Sequence, residues 1–198
     1  LTADANYQLG EIAAVRLNAM WHDQDVAGRD AVNYSRWGVS PSVALGLGTP
    51  TQASLNWYHL QSDDLSDPGI PFERTQAQAV ASGKLDIGPA INVNGQEVPR
   101  EAFYGLANRD FRKTNVDELH FRFSHELSDS ITAMFNAKYS SVQQQYVISQ
   151  PDDSQGNVQN GLVWRRANSR WADVDSFVIQ QDFTGSFASQ QSQKVSFH

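Results

Sequence analysis

Cysteine is absent from all 198 residues, which excludes a disulfide framework, thiolate metal ligands and a cysteine nucleophile. The absence fixes no compartment, because oxidising and reducing locations both tolerate Cys-free chains. Long apolar runs are missing as well. The longest, such as Val43–Leu47, fall far short of the roughly 20 residues that a membrane helix needs. Positive charge is in deficit, with 15 basic against 22 acidic residues and a net charge of −7, so no nucleic-acid partner is expected on electrostatic grounds. No charged and then apolar leader opens the chain, which starts directly on Leu1-Thr2-Ala3-Asp4-Ala5-Asn6-Tyr7. The expectation is a mature secreted chain that has lost its signal, or an internal piece of a longer one. A Gly-x-Ser-x-Gly elbow and a glycine-rich phosphate loop are both missing, and nothing argues for an enzyme.

What the chain does have is alternation. Ala3, Ala5, Tyr7 and Leu9 fall on one side of a period of two, with Thr2, Asp4, Asn6 and Gln8 on the other. Successive side chains of a strand point to opposite faces, so this reads as a half-apolar strand. After a tight turn at Gly10-Glu11, Val15, Leu17, Ala19 and Trp21 oppose Arg16, Asn18, Met20 and His22. A polar loop covers Asp23–Asp30, and Trp37, Val39, Pro41, Val43, Leu45 and Leu47 then oppose Arg36, Gly38, Ser40, Ser42, Ala44 and Gly46. Pro41 cannot donate a ladder hydrogen bond, so a bulge or slack register is expected there. Gly48-Thr49-Pro50-Thr51 is the next short turn, and Ala53, Leu55 and Trp57 continue the apolar side. The period slips near Tyr58-His59-Leu60, where a bulge would restore it.

From Asp63 to about Lys113 no period is convincing, and turn formers such as Pro68-Gly69, Gly88-Pro89 and Asn94-Gly95 crowd the stretch. It reads as a long loop, of the kind that is usually functional or disordered. Alternation resumes with Leu119, Phe121, Phe123 and Leu127 against His120, Arg122, Ser124 and Glu126, then turns at Ser128-Asp129-Ser130. Ile131, Ala133, Phe135, Ala137 and Tyr139 return against Thr132, Asn136, Lys138 and Ser140. A second long polar loop is expected over about Ser149–Ser169. After it come Phe177, Ile179, Phe183 and Phe187, a turn through Ser189–Gln193, and the start of another strand at Val195-Ser196-Phe197-His198. The count is seven strands and the beginning of an eighth, with connections alternately short and long.

A soluble β-sandwich also alternates, and a soluble secreted binding module is one alternative. Three features favour an antiparallel up-and-down transmembrane β-barrel. Arg16, Arg36, Arg122 and Lys138 sit in mid-strand on the polar side, as a water-filled lumen requires. Short and long connections alternate along the chain. Trp21 and Trp37 share the apolar side next to the same long loop, as an aromatic girdle does. The negative mean hydropathy is no objection, since only every second residue of such a strand must be apolar. A small structural or adhesive outer-membrane barrel is a further alternative.

Several runs resemble TonB-dependent siderophore receptors, in their catecholate ferric-siderophore branch. They are Val15-Arg16-Leu17-Asn18-Ala19-Met20, Val26-Ala27-Gly28-Arg29-Asp30, Arg36-Trp37-Gly38-Val39-Ser40-Pro41-Ser42, Tyr58-His59-Leu60 with Asp67-Pro68-Gly69-Ile70-Pro71, and Phe103-Tyr104-Gly105. The strand pair Leu119–Leu127 and Ile131–Tyr139 fits as well, so the likeness covers nearly the whole chain apart from the loop cores. The resemblance implies that residues 1–198 are part of a 22-stranded barrel domain, without the plug domain and TonB box of a complete receptor. A chain ending at His198 also lacks the terminal aromatic residue usual in outer-membrane barrels. The implied location is the outer membrane of a Gram-negative cell. The implied partners are a ferric siderophore of the catecholate kind, the energy-transducing TonB complex acting through the plug, and outer-membrane lipid. The implied role is siderophore uptake, with no cofactor and iron entering only as the chelated cargo.

Ferric catecholates are anionic and aromatic, which suits guanidinium groups and aromatic rings. The candidate ligand contacts are Arg29, Tyr34 and Arg36 around the first loop, Phe103, Tyr104 and Arg109 in the long loop, and Trp164, Arg165 and Arg166 as a compact group in the last loop. His22, His59, His120, His125 and His198 lack ligand spacing, so no protein-made metal site is expected. Asp63-Asp64, Asp67 and Asp152-Asp153 read as solvated turns. Seven strands and a stub also leave two sheet edges, so the first and last strands are expected not to pair with each other.

Overall fold

In the computed structural model the described residues are 1–71, 90–93, 96–152, 158–159, 162–188 and 194–197. Among them every regular element is a strand. In chain order they are β1 (Thr2–Gln8), β2 (Ala13–Asp25), β3 (Asn33–Leu45), β4 (Thr51–Leu65), β5 (Ala90–Val93), β6 (Gln96–Pro99), β7 (Phe111–Ser128), β8 (Ile131–Asp152), β9 (Val158–Gln159), β10 (Leu162–Ala188) and β11 (Lys194–Phe197). The main sheet runs β1-β2-β3-β4-β7-β8-β10-β11, with β9 attached to β10, while β5 and β6 form a separate hairpin. All pairings are antiparallel. The edges β1 and β11 do not pair with each other, as the strand count anticipates.

The registers give the sheet one parity. Leu17 lies opposite Ala5 and Pro41, Leu55 opposite Val43 and Phe121, and Phe123 opposite Ala53 and Phe135. Odd-numbered residues therefore share one face from β1 to β10, and even-numbered residues share the other. Tyr7, Leu17, Trp21, Trp37, Leu45, Leu55, Trp57, Leu119, Phe121, Tyr139, Phe177, Ile179 and Phe183 are all exposed on the odd face. Such a face requires an apolar surround. Buried hydrophobic side chains are scarce among the described residues, with Val32 and Val98 the examples, because a single-layer sheet has no interior of its own.

The apolar band has a constant height. It runs over Ala13–Trp21 on β2, Trp37–Leu45 on β3 and Ile131–Tyr139 on β8. Each spans about 26 Å along the strand at about 3.3 Å per residue, close to the membrane-embedded belt of a barrel once strand tilt is included. The band also drifts in register. The row through Trp21 passes Trp37, Gln61, Asn115 and Gln143, yet the band on β8 ends at Tyr139, four residues below that row. A level band drifting against the ladder is what tilted strands produce. Gln181 interrupts the band opposite Phe135, and nothing in the structure explains it.

Two expected irregularities are absent. The β3–β4 register is the same on both sides of Pro41 and continues unshifted through Tyr58, His59 and Leu60. Pro41 interrupts pairing to β4 locally without slipping it. Tyr58 and Leu60 simply point to the polar face, so the alternation is kept with polar His59 on the odd side. The one register shift in these ladders lies between Glu126 and Ser128, beside the tight turn into β8. The turn after β3 is centred earlier than Gly48–Thr51. Gly46 and Gly48 both have positive φ, and a Cβ at Gly46 would collide with the Thr51 carbonyl oxygen, so the chain reverses there only with glycine.

The largest departure from expectation is at the other end. The segment 149–169, expected as a loop, is mostly ladder, since β8 continues to Asp152 and β10 begins at Leu162. Above Tyr139 the odd face carries mainly polar residues suited to water, Ser141, Gln143, Gln145, Asp173 and Asp175, with the exposed Trp171 ring against Phe111 among them. The pair β8 and β10 thus rises about 40 Å past the apolar band, at about 3.3 Å per residue. The turn expected at Ser189–Gln193 lies outside the described residues.

Candidate ligand-binding surface

The even face carries its charges in diagonal cross-strand pairs. Arg16 meets Asp4 at 2.6 Å, Arg36 meets Asp64 at 3.2 Å and Lys138 meets Glu118 at 3.0 Å. Residues offset by two across a ladder are within reach of long side chains. Arg122, nearer the short turns, donates instead to the side-chain oxygen of Asn136 at 3.2 Å.

Tyr34 and Arg36 lie on β3 itself, beyond the first loop. The Arg36 guanidinium sits 5.1 Å from the Tyr34 ring centroid and donates to both carboxylate oxygens of Asp64. Ring, cation and carboxylate therefore form one fixed group on the polar face.

Arg29 holds loops together. Its guanidinium donates to Asp67 Oδ1 at 2.7 Å and to the Arg100 carbonyl oxygen. Asp67 Oδ1 also accepts the Gly69 amide at 2.8 Å, and the Asp30 amide donates to the Glu101 carbonyl at 2.7 Å. Three segments, 26–32, 66–71 and 100–104, are clasped at this point. Tyr104 packs close by. Burial pushes its phenol up from the usual value, and the Arg29 charge opposes that shift.

A second node fixes the next part of the chain. The Asp110 side chain is only 3% exposed and accepts from the amides of Leu106 at 3.0 Å and Ser149 at 2.6 Å and from Ser149 Oγ at 2.8 Å. Arg109 donates to Asp110 and to Ser149 Oγ. Burial alone would raise the Asp110 carboxyl, but these donors outweigh it and hold it below the ordinary carboxylate range. Gly105 is enclosed between the Phe103 ring and Asp110, where a Cβ would press into the ring.

Trp164, Arg165 and Arg166 stand on β10 rather than in a loop, opposite Asp152, Pro151 and Gln150. Alternation sends Arg165 to the face opposite Trp164 and Arg166, so the three are not one cluster. The structure thus assembles Arg29 with Tyr104, and Tyr34 with Arg36. It sets Arg109 against β8 and spreads the last three along a ladder. Sequence reasoning missed Asp64, Asp110 and Ser149, the side chains that orient the arginines. The contacts Arg36–Asp64, Arg109–Ser149 and Asp110–Ser149 span 28 to 40 residues and leave no local signal, whereas those of Asp110 with Leu106 and Arg109 are local. Among the described residues no group of three metal-ligating side chains is present.

A sheet of tilted antiparallel strands with an aromatic-edged apolar band on one face and paired charges on the other defines a wall segment of a membrane-spanning β-barrel. The comparisons make the class more specific. The chain is 38% identical over 188 residues to the probable TonB-dependent siderophore receptor PiuA of Acinetobacter baumannii, covering 94% of this chain and 24% of that protein. It is 32% identical over 195 residues to the catecholate siderophore receptor Fiu of Escherichia coli K12, covering 94% of this chain and 25% of Fiu. The crystal structure of Fiu in its open form superposes with a TM-score of 0.78 at 28% identity, over 95% of this chain and 29% of that one. The PiuA crystal structure gives 0.77 at 37% identity, over 96% and 26%. No protein-family model matches the chain. By sequence and by fold the chain is a stretch of the barrel of the TonB-dependent siderophore receptor family, spanning about a quarter of the length of the relatives it matches.

Proposed function

We propose that this chain is part of the outer-membrane wall of a receptor that takes up ferric siderophores in a TonB-dependent manner, and that the cargo is a ferric catecholate. The observation that carries the reading is the sheet-wide parity. One face is apolar over a membrane-deep band, the other is polar, and the same stretch is shared with PiuA and Fiu over 94% of the chain. The loop-bearing end supports the cargo assignment, since Tyr34 with Arg36 and Tyr104 with Arg29 set aromatic rings beside guanidinium groups there, a pairing suited to an anionic aromatic chelate.

The test is uptake by the parent receptor in a Gram-negative strain lacking its own catecholate receptors. Growth on a ferric catecholate under iron limitation, abolished when TonB is deleted, is the expected result. Absence of iron-55 uptake, with the receptor verified in the outer membrane, would remove the transport reading.

A further inference from the structure

Above the apolar band the registers align one row of even-face residues across five strands. Tyr34 on β3 lies opposite Asp64 on β4, Asp64 opposite Arg112 on β7, Arg112 opposite Tyr146 on β8, and Tyr146 opposite Arg170 on β10. We propose that Arg112, Tyr146 and Arg170 form a subsite for an anionic aromatic group, two guanidiniums flanking one phenol ring, where a ferric catecholate is first held. The inference rests on the receptor reading above and names the residues that would select the cargo's charge.

Among the described residues the row holds two arginines without an acidic partner, whereas elsewhere on the even face Arg122 is held by Asn136 and three further cations are paired. Arg16, Arg36 and Lys138 each have a carboxylate partner. Asp64, the carboxylate nearest Arg112 in the row, has a side chain only 7% exposed and already receives both contacts from Arg36. Arg112 and Arg170 have no carboxylate partner among the described residues, and both are exposed. Neighbouring strands lie about 4.8 Å apart, so their backbones stand about 10 Å apart with Tyr146 between them. Two like charges at that spacing repel in the empty state, and an anion placed between them relieves the repulsion. Each guanidinium offers a planar fork to a pair of oxygens, the arrangement a catecholate edge presents. Tyr146 adds a ring face for stacking.

The row also has the right placement. It lies above the aromatic edge set by Trp21, Trp37, Trp57 and Tyr139, outside the membrane layer, and its side chains point to the same face as Tyr34 and Arg36.

The test uses the full-length receptor in detergent and two probes, the anionic ferric complex of 2,3-dihydroxybenzoate and the neutral trihydroxamate ferrichrome. Binding is read by tryptophan fluorescence quenching at several salt concentrations. Arg112→Ala and Arg170→Ala are each expected to weaken the catecholate complex roughly tenfold or more, with a shallower salt dependence. Arg122→Ala, near the opposite end of the wall, is expected to change nothing. Heat-modifiable gel mobility checks assembly, and Arg112→Lys and Arg170→Lys carry the test if an alanine variant fails to assemble. The lysines keep the charge and lose the fork, so several-fold weakening is expected. Wild-type binding that all four variants retain would overturn the subsite and leave the receptor reading intact. Failure of the wild type to bind the catecholate complex would overturn both.

Discussion

Asp110 shows how a single side chain organises the loop-bearing end. It is buried, accepts from two backbone amides and a hydroxyl, and is held below the usual carboxylate range by those donors. Because the folded carboxyl is easier to ionise than the unfolded one, its contribution is complete above the unfolded value of about 3.9 and is lost as pH falls through the folded value. Amide exchange at Leu106 and Ser149 in the parent receptor, corrected for intrinsic rate, should therefore stay slow at neutral pH. It should accelerate only once the solution is more acidic than an ordinary carboxylate requires. Asp110→Asn should abolish that protection at every pH, since an amide nitrogen facing donors forfeits about 1.5–3 kcal/mol of charge-assisted hydrogen bonding. Unchanged exchange in the variant would show that the carboxylate does not hold the loop.

At the scale of the strand, what decides stability is which face a residue occupies. Leu17 and Phe135 sit at the middle of the apolar band on the odd face, and Asn18 sits beside Leu17 on the even face. Leu17→Arg or Phe135→Arg should cost about 2–4 kcal/mol at the membrane midplane and block assembly, read by loss of the heat-modifiable form, whereas Asn18→Arg should be mild. Equal tolerance at the three sites would contradict a membrane-facing odd side. The same distinction explains what could be read from the sequence. Inside the band, one apolar and one polar face give a clean period of two, and Val15, Leu17, Val43, Leu45, Leu55, Phe121 and Phe135 share a face as expected. Above the band water lies on both faces, the contrast vanishes, and residues 149–152 and 162–169 read as loop although they are ladder. Arg112, Tyr146 and Arg170 went unnoticed for that reason. Their juxtaposition depends on registers between strands distant in sequence, which no local pattern encodes.

Across the described residues, each strand of the main sheet pairs with the next one in the chain, apart from the step from β8 to β10 past the two-residue β9 and the jump from β4 to β7 over the β5–β6 hairpin. The wall is therefore two sets of hairpins joined by one long connection of about 45 residues, from the end of β4 at Leu65 to the start of β7 at Phe111. Closing it costs about 2 kcal/mol more in chain entropy than closing the four-residue turn between β1 and β2, from the logarithmic dependence on loop length. The Arg29 and Asp110 clasps recover part of that cost only after the strands have met, so they cannot speed the encounter. Folding should then be ordered in time. β2–β3 and β7–β8 zip first, and the β4–β7 seam joins last. This stretch contributes no cysteine of its own, so introduced thiols meet no competitor within it. Refolding a parent receptor carrying Asn18→Cys with Ser40→Cys should trap the β2–β3 disulfide early. Asn56→Cys with His120→Cys should trap the β4–β7 disulfide late, and the reverse order would refute a seam-last route. Until the seam forms, the two half-walls have free edges facing each other, and that interval is when the nascent wall is most exposed to pairing with the wrong strand.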